Sequence, residues 1–498
     1  MNRRSRFILG LDLGTTGVRA LLYRPNGSLA ANAYTGFRQY YPQPGWVEHD
    51  AEEIFFHILK MIRRACAQAR CLFSDIAAIG ITNQRETVVV WDKFSGKPAA
   101  KAIVWQDRRT EPHCRALKAR GLEKKIRQKT GLVLDPYFSA TKISWLLKNI
   151  PGLRKKAQSG RVLAGTIDSW VLWRLTGNHA TDFTNASRTL LFDIRKQKWD
   201  SELLKLFGVP PQMLPRALPS GSLFGKTQNH IPGISAGVPV YAILGDQQAA
   251  LYGQNCIKPG QAKNTYGTGC FMMMNAGKKM PRPVHGILTT MAAGPLGQPS
   301  YAFEGAVFIG GAVVQWLRDG LEIIASAKET EKLALSVPDT HGMTLIPAFV
   351  GLGSPHWRSD VRGAALGLTR GVTRAHFVRA ALESIAQQSA DVLEAMKKAS
   401  RAPIHEIRTD GNAAQNRFLM QYQSDIIGLP IQAATHSEIT AWGVIRLAGE
   451  IAGFWNKNLK SKQVFGYHAY RPKLSPQKRE VLRAVWKKNL QGLISCSG

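Results

Sequence analysis

The stretch Phe7-Ile8-Leu9-Gly10-Leu11-Asp12-Leu13-Gly14-Thr15-Thr16-Gly17-Val18-Arg19-Ala20-Leu21-Leu22-Tyr23 decides the fold. An apolar run ending in an acid, a Gly/Thr turn and a second apolar run describe two strands joined tightly. Pro25-Asn26-Gly27 supplies another turn, so a three-stranded antiparallel opening is expected. Further out, Asp50 with Glu53 reads as a capping box for a helix reaching about Cys71. Ile76 to Thr82 reads as a buried strand, and Thr87 to Trp91 as a strand paired with Ala102 to Trp105 around Phe94-Ser95-Gly96. Strands alternating with helices argue an α/β protein. After Ala249-Ala250-Leu251-Tyr252 the pattern restarts: Asn264-Thr265-Tyr266-Gly267-Thr268-Gly269 and Cys270 to Met274 are again strand, glycine turn, strand. Long helical patterns follow at Gly311 to Ile324, Arg374 to Lys398 and Asn416 to Ile427. Two halves of similar size, residues 1–255 and 256–498, are therefore expected around a cleft.

Composition narrows the class. The chain has 498 residues, 44% hydrophobic and 20% charged, which excludes a disordered chain and a membrane bundle. Its longest apolar stretch, Gly305 to Val314, is far short of the ~20 residues of a spanning helix. The basic start Met1 to Arg6 is followed by an apolar run that Asp12 cuts, so no export is read. Six cysteines without a CxxC pair read as reduced thiols of a cytoplasmic protein. Lys+Arg 66 against Asp+Glu 34 leaves +32, concentrated at Arg115 to Lys129, Arg154 to Arg161 and Lys457 to Lys488. Without interleaved aromatics or Gly-rich arms, this reads as a solvated basic surface and not a nucleic-acid interface.

Two motifs are decoys. Gly221-Ser222-Leu223-Phe224-Gly225-Lys226-Thr227 has three residues between its glycines where a P-loop needs four. Gly233-Ile234-Ser235-Ala236-Gly237 fits GxSxG but lies between prolines, without the strand-to-helix turn of a nucleophile elbow.

Four other places carry usable chemistry. Asp12-Leu13-Gly14-Thr15-Thr16-Gly17-Val18-Arg19 puts amide and hydroxyl donors beside a carboxylate able to face a cation, although a plain polar turn has the same composition. Gly267-Thr268-Gly269 repeats the device, and two such hairpins facing each other would clasp a polyphosphate. Asn83-Gln84-Arg85-Glu86 offers a donor and an acceptor to neighbouring hydroxyls, or forms a surface ion pair. Gly245-Asp246-Gln247-Gln248 follows the apolar run Val240 to Leu244, so Asp246 is either a catalytic carboxylate at a strand end or a helix N-cap. Asp410-Gly411-Asn412 with Asn416 is a loop and helix start suited to a nucleoside, or a cap.

From Phe7 to Trp455 the chain resembles the FGGY carbohydrate kinase family, in its glycerol-phosphorylating branch. The resemblance rests on Tyr41-Pro42-Gln43-Pro44-Gly45-Trp46-Val47-Glu48-His49-Asp50, Gly80-Ile81-Thr82-Asn83-Gln84-Arg85-Glu86-Thr87 and Ile103-Val104-Trp105-Gln106-Asp107-Arg108-Arg109-Thr110. It rests equally on Asp135-Pro136-Tyr137-Phe138-Ser139, Thr184-Asn185-Ala186-Ser187-Arg188-Thr189 and the segment Asn264 to Phe271. It implies two actin/hexokinase-type, ribonuclease H-like domains flanking a catalytic cleft, with ATP and magnesium as cofactors, glycerol as substrate and a homo-oligomeric assembly. By resemblance, Arg85, Glu86, Tyr137, Asp246 and Gln247 meet the polyol hydroxyls, and Trp105 and Phe271 cover its carbon edge. Thr15, Thr16, Gly17, Arg19, Thr268, Gly311, Gln315, Asn412 and Asn416 hold nucleotide-contact positions, Asp12 and Asp246 lie near the metal, and Asp246 is the catalytic base. Departures are Leu13, where Gln is usual in that branch, Gly17-Val18 in place of two serines, Asn412 in place of glycine, and Trp442 and Arg446. Leu13 keeps open a kinase for another small polyol or ketose, and the charge a binding or regulatory protein with lost catalysis.

Overall fold

A computed structural model describes residues 6–229, 231–436, 438–455 and 464–497; Met1 to Ser5 of the basic start and residues 457–463 of the third basic run lie outside them. The opening stretch forms β1 (Phe7–Leu13) and β2 (Gly17–Tyr23), antiparallel, with β3 (Leu29–Gly36) beside β2, as expected. Helix α1 (Ala51–Ala69) starts where Asp50 accepts from the amides of Glu52 and Glu53. The reciprocal half of the capping box is missing, because the Glu53 carboxylate takes the Arg38 amide instead. Arg70 in the left-handed region ends the helix just before the expected Cys71.

Strands β4 (Ile76–Asn83) and β5 (Pro239–Gly245) run parallel to β1, giving the order edge strand Gly225–Lys226, β5, β4, β1, β2, β3. The second half repeats this plan. Strands β6 (Ala262–Tyr266), β7 (Cys270–Gly277) and β8 (Pro299–Val307) form the antiparallel unit, and β9 (Ile407–Asp410) and β10 (Ile431–Ala434) extend it in parallel. The carboxyl ends of β1, β4 and β5 in the first sheet and of β6 in the second lead into residues that line one cavity, the place where ligands meet α/β proteins.

The expected pairing of Thr87 to Trp91 with Ala102 to Trp105 is realised at Val88 and Ile103 alone. Its main partner is Val162–Thr166, five residue pairs in register, in a separate four-stranded sheet. The expected helix Gly311 to Ile324 is also shorter. It runs Gly311–Gln315, widens into a π turn at Trp316–Gly320 and stops, and Glu322 turns to positive φ. Gly320 is a weak helix former, and the shorter helix is the physical outcome.

The halves are tied by exchanged helices. α2 (Asp246–Gly253), which follows β5, packs on β6 and β7 of the other sheet, while α3 (Ile439–Ile451), which follows β10, packs on β1, β4 and β5. Gly80 makes this seating possible, since a Cβ there would stand 2.6 Å from the Val444 carbonyl oxygen. Trp442 and Arg446, unusual by resemblance, serve this joint. Trp442 is buried against Tyr23, Trp455 and Phe465, and Arg446 donates to the Tyr252 carbonyl and to Asn255 Oδ1 at 3.0 Å. All six cysteines are free. Among the described residues no helix is long and apolar enough to cross a membrane.

Candidate active site

Three parallel strands of the first sheet end side by side, and each end delivers an acid. β1 ends in Asp12-Leu13, β4 leads into Gln84-Arg85-Glu86, and β5 leads into Asp246. Asp246 is the first residue of α2 and not its N-cap; Gly245 holds the cap position without a side-chain bond. Its Oδ1 instead accepts from the Gln247 amide at 2.7 Å and pairs with Arg85 Nε at 3.1 Å, which aims a half-exposed carboxylate into the cleft.

Arg85 and Glu86 are no surface pair: they are 2% and 1% exposed. Besides Asp246 and Tyr137, they are held by Glu304 and Arg188, to which the sequence alone assigned no role. Arg85 Nη1 and Nη2 donate to the two oxygens of Glu304 at 2.8 and 2.9 Å, and Nη2 reaches Tyr137 Oη at 3.4 Å. Arg188 Nε donates to Glu86 Oε1 at 2.6 Å and its Nη2 to Glu304 Oε1 at 3.2 Å. Glu304 is completely buried; burial pushes its carboxyl up, but Arg188 and Arg85 outweigh it and hold the group at about 2. Burial of this kind is tolerable only because every charge has a partner. Glu304 lies on β8, so a second-half carboxylate fixes a first-half guanidinium. Glu86 adopts φ 62, an unfavourable backbone for a non-glycine residue that the network holds in place. Arg188 belonged to a quoted stretch, but nothing in the order of residues marks its partner Glu304.

A cavity of about 870 Å³ opens above this network. Among its lining are Thr15, Arg85, Glu86, Trp105, Tyr137, Asp246, Gln247, Thr268 and Phe271, nine of the expected residues. Trp105 meets Tyr137 and Phe271 edge-on at 5.6 and 6.4 Å, and its indole N–H donates to Thr15 Oγ1 at 3.0 Å. The result is an apolar wall opposite a charged floor, a shape that suits a small molecule with one carbon edge and several hydroxyls.

Both glycine hairpins reach this cavity, through Thr15 and through Thr268 and Gly269. The second is fastened to the helix behind it: Gly311 N–H donates to the Gly267 carbonyl and Gly310 N–H to the Thr268 carbonyl, both at 2.8 Å. Asp12, Thr16, Gly17, Arg19, Gly311, Gln315, Asn412 and Asn416 are not among the cavity-lining residues. Arg19 bonds Glu438 across the cleft and lies over the Tyr34 ring. Gly17 has no room for the serine usual by resemblance: a Cβ would sit 2.5 Å from the Thr35 carbonyl oxygen and 2.6 Å from Tyr34 Oη. After β9, Gly411 takes φ 91 while Asn412 keeps an ordinary φ and is exposed. Asn416 is a cap, its Oδ1 accepting from the Leu419 amide at 2.9 Å and its Nδ2 donating to Thr330 Oγ1.

Asp12 and Asp246 are close enough to feel each other. Burial, reinforced by the Asp246 charge and opposed by Arg19, pushes the Asp12 carboxyl up to about 6. Two carboxylates in mutual repulsion fit a shared divalent cation. Among the described residues no group of three or more His, Cys, Asp or Glu gathers as a metal site.

A duplicated sheet of this order, with exchanged helices and hairpins facing a carboxylate-bearing cleft, defines the actin/hexokinase class of two-domain α/β proteins. Comparison with known proteins carries this further. Residues 7–253 match the N-terminal domain, and residues 262–450 the C-terminal domain, of the FGGY family of carbohydrate kinases. The chain belongs to that family. It is 49% identical to a glycerol kinase of Geobacillus sp. over 98% of this chain and 99% of the relative. It is 50% identical to a glycerol kinase of Symbiobacterium thermophilum over 97% and 98%. Among solved structures, Plasmodium falciparum glycerol kinase with ADP superposes with a TM-score of 0.91 at 33% identity, covering 98% of both chains. A gluconate kinase of Lactobacillus acidophilus, at 22% identity and a TM-score of 0.87, shares the fold.

Proposed function

We propose that the protein transfers the γ-phosphoryl group of ATP to a primary hydroxyl of glycerol. The observation that carries this reading is Asp246, held by Arg85 and the Gln247 amide at the floor of a cavity walled by Trp105, Tyr137 and Phe271. The relatives of about 50% identity and full coverage that carry the name glycerol kinase support the substrate, and the ADP named in the Plasmodium structure supports the donor.

In this reading residues 1–255 carry the polyol site and part of the phosphate site, and residues 256–498 mainly the nucleotide site. Arg85 and Glu86 present one donor and one acceptor to neighbouring hydroxyls, with Tyr137 and Gln247 beside them. Arg85 spends its two Nη groups on Glu304, so it is a rigid donor and not a searching one. Asp246 accepts the proton of the terminal hydroxyl as that oxygen bonds to the γ-phosphorus; the bond to the bridging oxygen breaks and ADP leaves. Thr15, Thr16, Gly17, Arg19, Thr268, Gly311 and Gln315 surround the phosphates, and Asn412 and Asn416 the nucleoside side. Asp12 and Asp246 would hold magnesium carried with the nucleotide, which when bound offsets negative charge on the transferring group. A nucleotide donor and free thiols fit the cytoplasm, and a homo-oligomer, measurable by light scattering, is the expected state.

The test compares ADP release with glycerol, erythritol, xylulose and ribulose at equal concentrations. Glycerol is expected to give the highest kcat/KM. A higher value with a ketose overturns the substrate, and no ATP-dependent transfer to any of the four overturns the activity.

A further inference from the structure

Lys263 lies on β6 of the second half and is completely buried. Its ammonium spends its three N–H groups on neutral oxygens: Gln247 Oε1 at 2.5 Å, Thr265 Oγ1 at 2.7 Å and the Phe271 carbonyl at 3.2 Å. A buried ammonium bound only to neutral oxygens is a costly way to fill space, which an uncharged side chain of similar length would fill more cheaply. What it touches is more telling. Gln247 belongs to α2, the first-half helix that starts with Asp246; Phe271 belongs to the aromatic wall, just past the Thr268-Gly269 turn.

The chemistry of the contact has a direction. An ammonium only donates, so the end of the Gln247 amide that faces it must be the carbonyl oxygen. The Nε2 group is then turned the other way, 3.4 Å from Asp246 Oδ2 and toward the cavity that Gln247 lines. One buried cation thus decides which end of that amide a ligand meets. It also ties the second-half hairpin to the first-half helix carrying the carboxylate.

We propose that Lys263 is a positioning residue for phosphoryl transfer, holding Gln247 with its N–H2 toward Asp246 and the substrate and locking the Phe271 wall to the same point. The inference rests on the kinase reading above. Charged groups around it are Asp246 on α2, Arg85 after β4, Glu304 on β8 and Asp410 on β9; Lys263 acts through Gln247 and Phe271 and does not touch the reacting atoms.

Purified full-length wild type, Lys263→Met, Lys263→Gln, Gln247→Ala and the Lys263→Met/Gln247→Ala double variant are compared by steady-state kinetics and thermal melting. Misplacing a substrate-orienting group by about an ångström costs on the order of 10²-fold. Lys263→Met is expected to lower kcat/KM for glycerol by about that factor and to leave the KM for ATP within about threefold. Lys263→Gln, which retains an N–H donor for Gln247, is expected to recover about tenfold of the loss, and the double variant to be no worse than the worse single one. Three results overturn the proposal: Lys263→Met activity within threefold of wild type, losses that multiply in the double variant, or a loss shared equally by both substrates that tracks a fall in melting temperature. Should Lys263→Met fail to fold, Lys263→Gln is paired with Gln247→Ala under the same criteria. If wild type prefers another polyol, the substrate reading fails by that fact, and the ratios among variants are taken with that polyol.

Discussion

Replacing Asp12 by Asn separates what the cleft needs for stability from what it needs for chemistry. Asp12 has its carboxyl raised from an ordinary 3.8 to about 6 by burial and by Asp246, with Arg19 opposing. The native state therefore holds this proton more tightly than the unfolded chain, so ionisation favours unfolding as pH rises through the window between those values. Each unit of difference is worth about 1.4 kcal/mol. The native state thus carries a penalty of about 3 kcal/mol above pH 7, about 1 kcal/mol at pH 4.5 and almost none below the unfolded value. Asparagine cannot ionise and escapes it. Asp12→Asn is expected to be more stable than wild type at pH 7.5, with an advantage about 2 kcal/mol larger than at pH 4.5. The comparison between two pH values cancels any fixed difference between amide and acid. Urea unfolding at both, in chelator and without nucleotide, measures it, and kcat in magnesium should fall by about 10²-fold or more as the charge near the metal is lost. An advantage that is equal at both pH values, or larger at pH 4.5, would refute the argument.

Further expectations follow from the same geometry. Asp246→Asn should lose roughly 10²–10⁴-fold in kcat while glycerol still binds by calorimetry, because the amide keeps its shape but not its basicity; near wild-type kcat removes Asp246 from the role of base. Arg85→Lys should raise the KM for glycerol and cost about 3 kcal/mol or more in urea, since one ammonium cannot serve both Glu304 oxygens and Asp246 at once; unchanged kinetics and stability would count against it. Gly17→Ser, which restores a hydroxyl usual by resemblance, should cost about 1–3 kcal/mol through contact with the Thr35 carbonyl and Tyr34, read as a lower melting temperature. Asn412→Gly should change stability by less than about 1 kcal/mol and leave ATP affinity equal or improved, because the residue is exposed and has an ordinary φ; weaker ATP binding would make the Asn side chain a ligand contact.

Much of the fold was legible because its signals are local. Alternation of apolar runs with Gly/Thr turns specified both hairpins, and the strand ends that present Asp12, Arg85 and Asp246 could be read from where apolar runs stop. Errors fell where a local signal had a competitor. Thr87 to Trp91 has a nearby partner in Ala102 to Trp105 but a longer one in Val162–Thr166, which only the packing of the four-stranded sheet selects. Asp246 was no such error: its two readings, cleft carboxylate and N-cap, are separated by the neighbouring guanidinium that takes its carboxylate.

By itself, then, the sequence determined the duplicated α/β plan and the two Gly/Thr turns, because each depends on chemistry within a few positions along the chain, while nine residues of the cavity followed from local pattern and family resemblance together. Tertiary structure alone decided the electrostatics. Arg85 meets Glu304 across 219 positions, and Lys263 meets Gln247 across a domain boundary. Whether a charge is solvated or buried, and which partner makes its burial tolerable, depends on which strands lie side by side and how the two sheets close on each other. Those are properties of the packed sheets, and no short stretch of residues contains them.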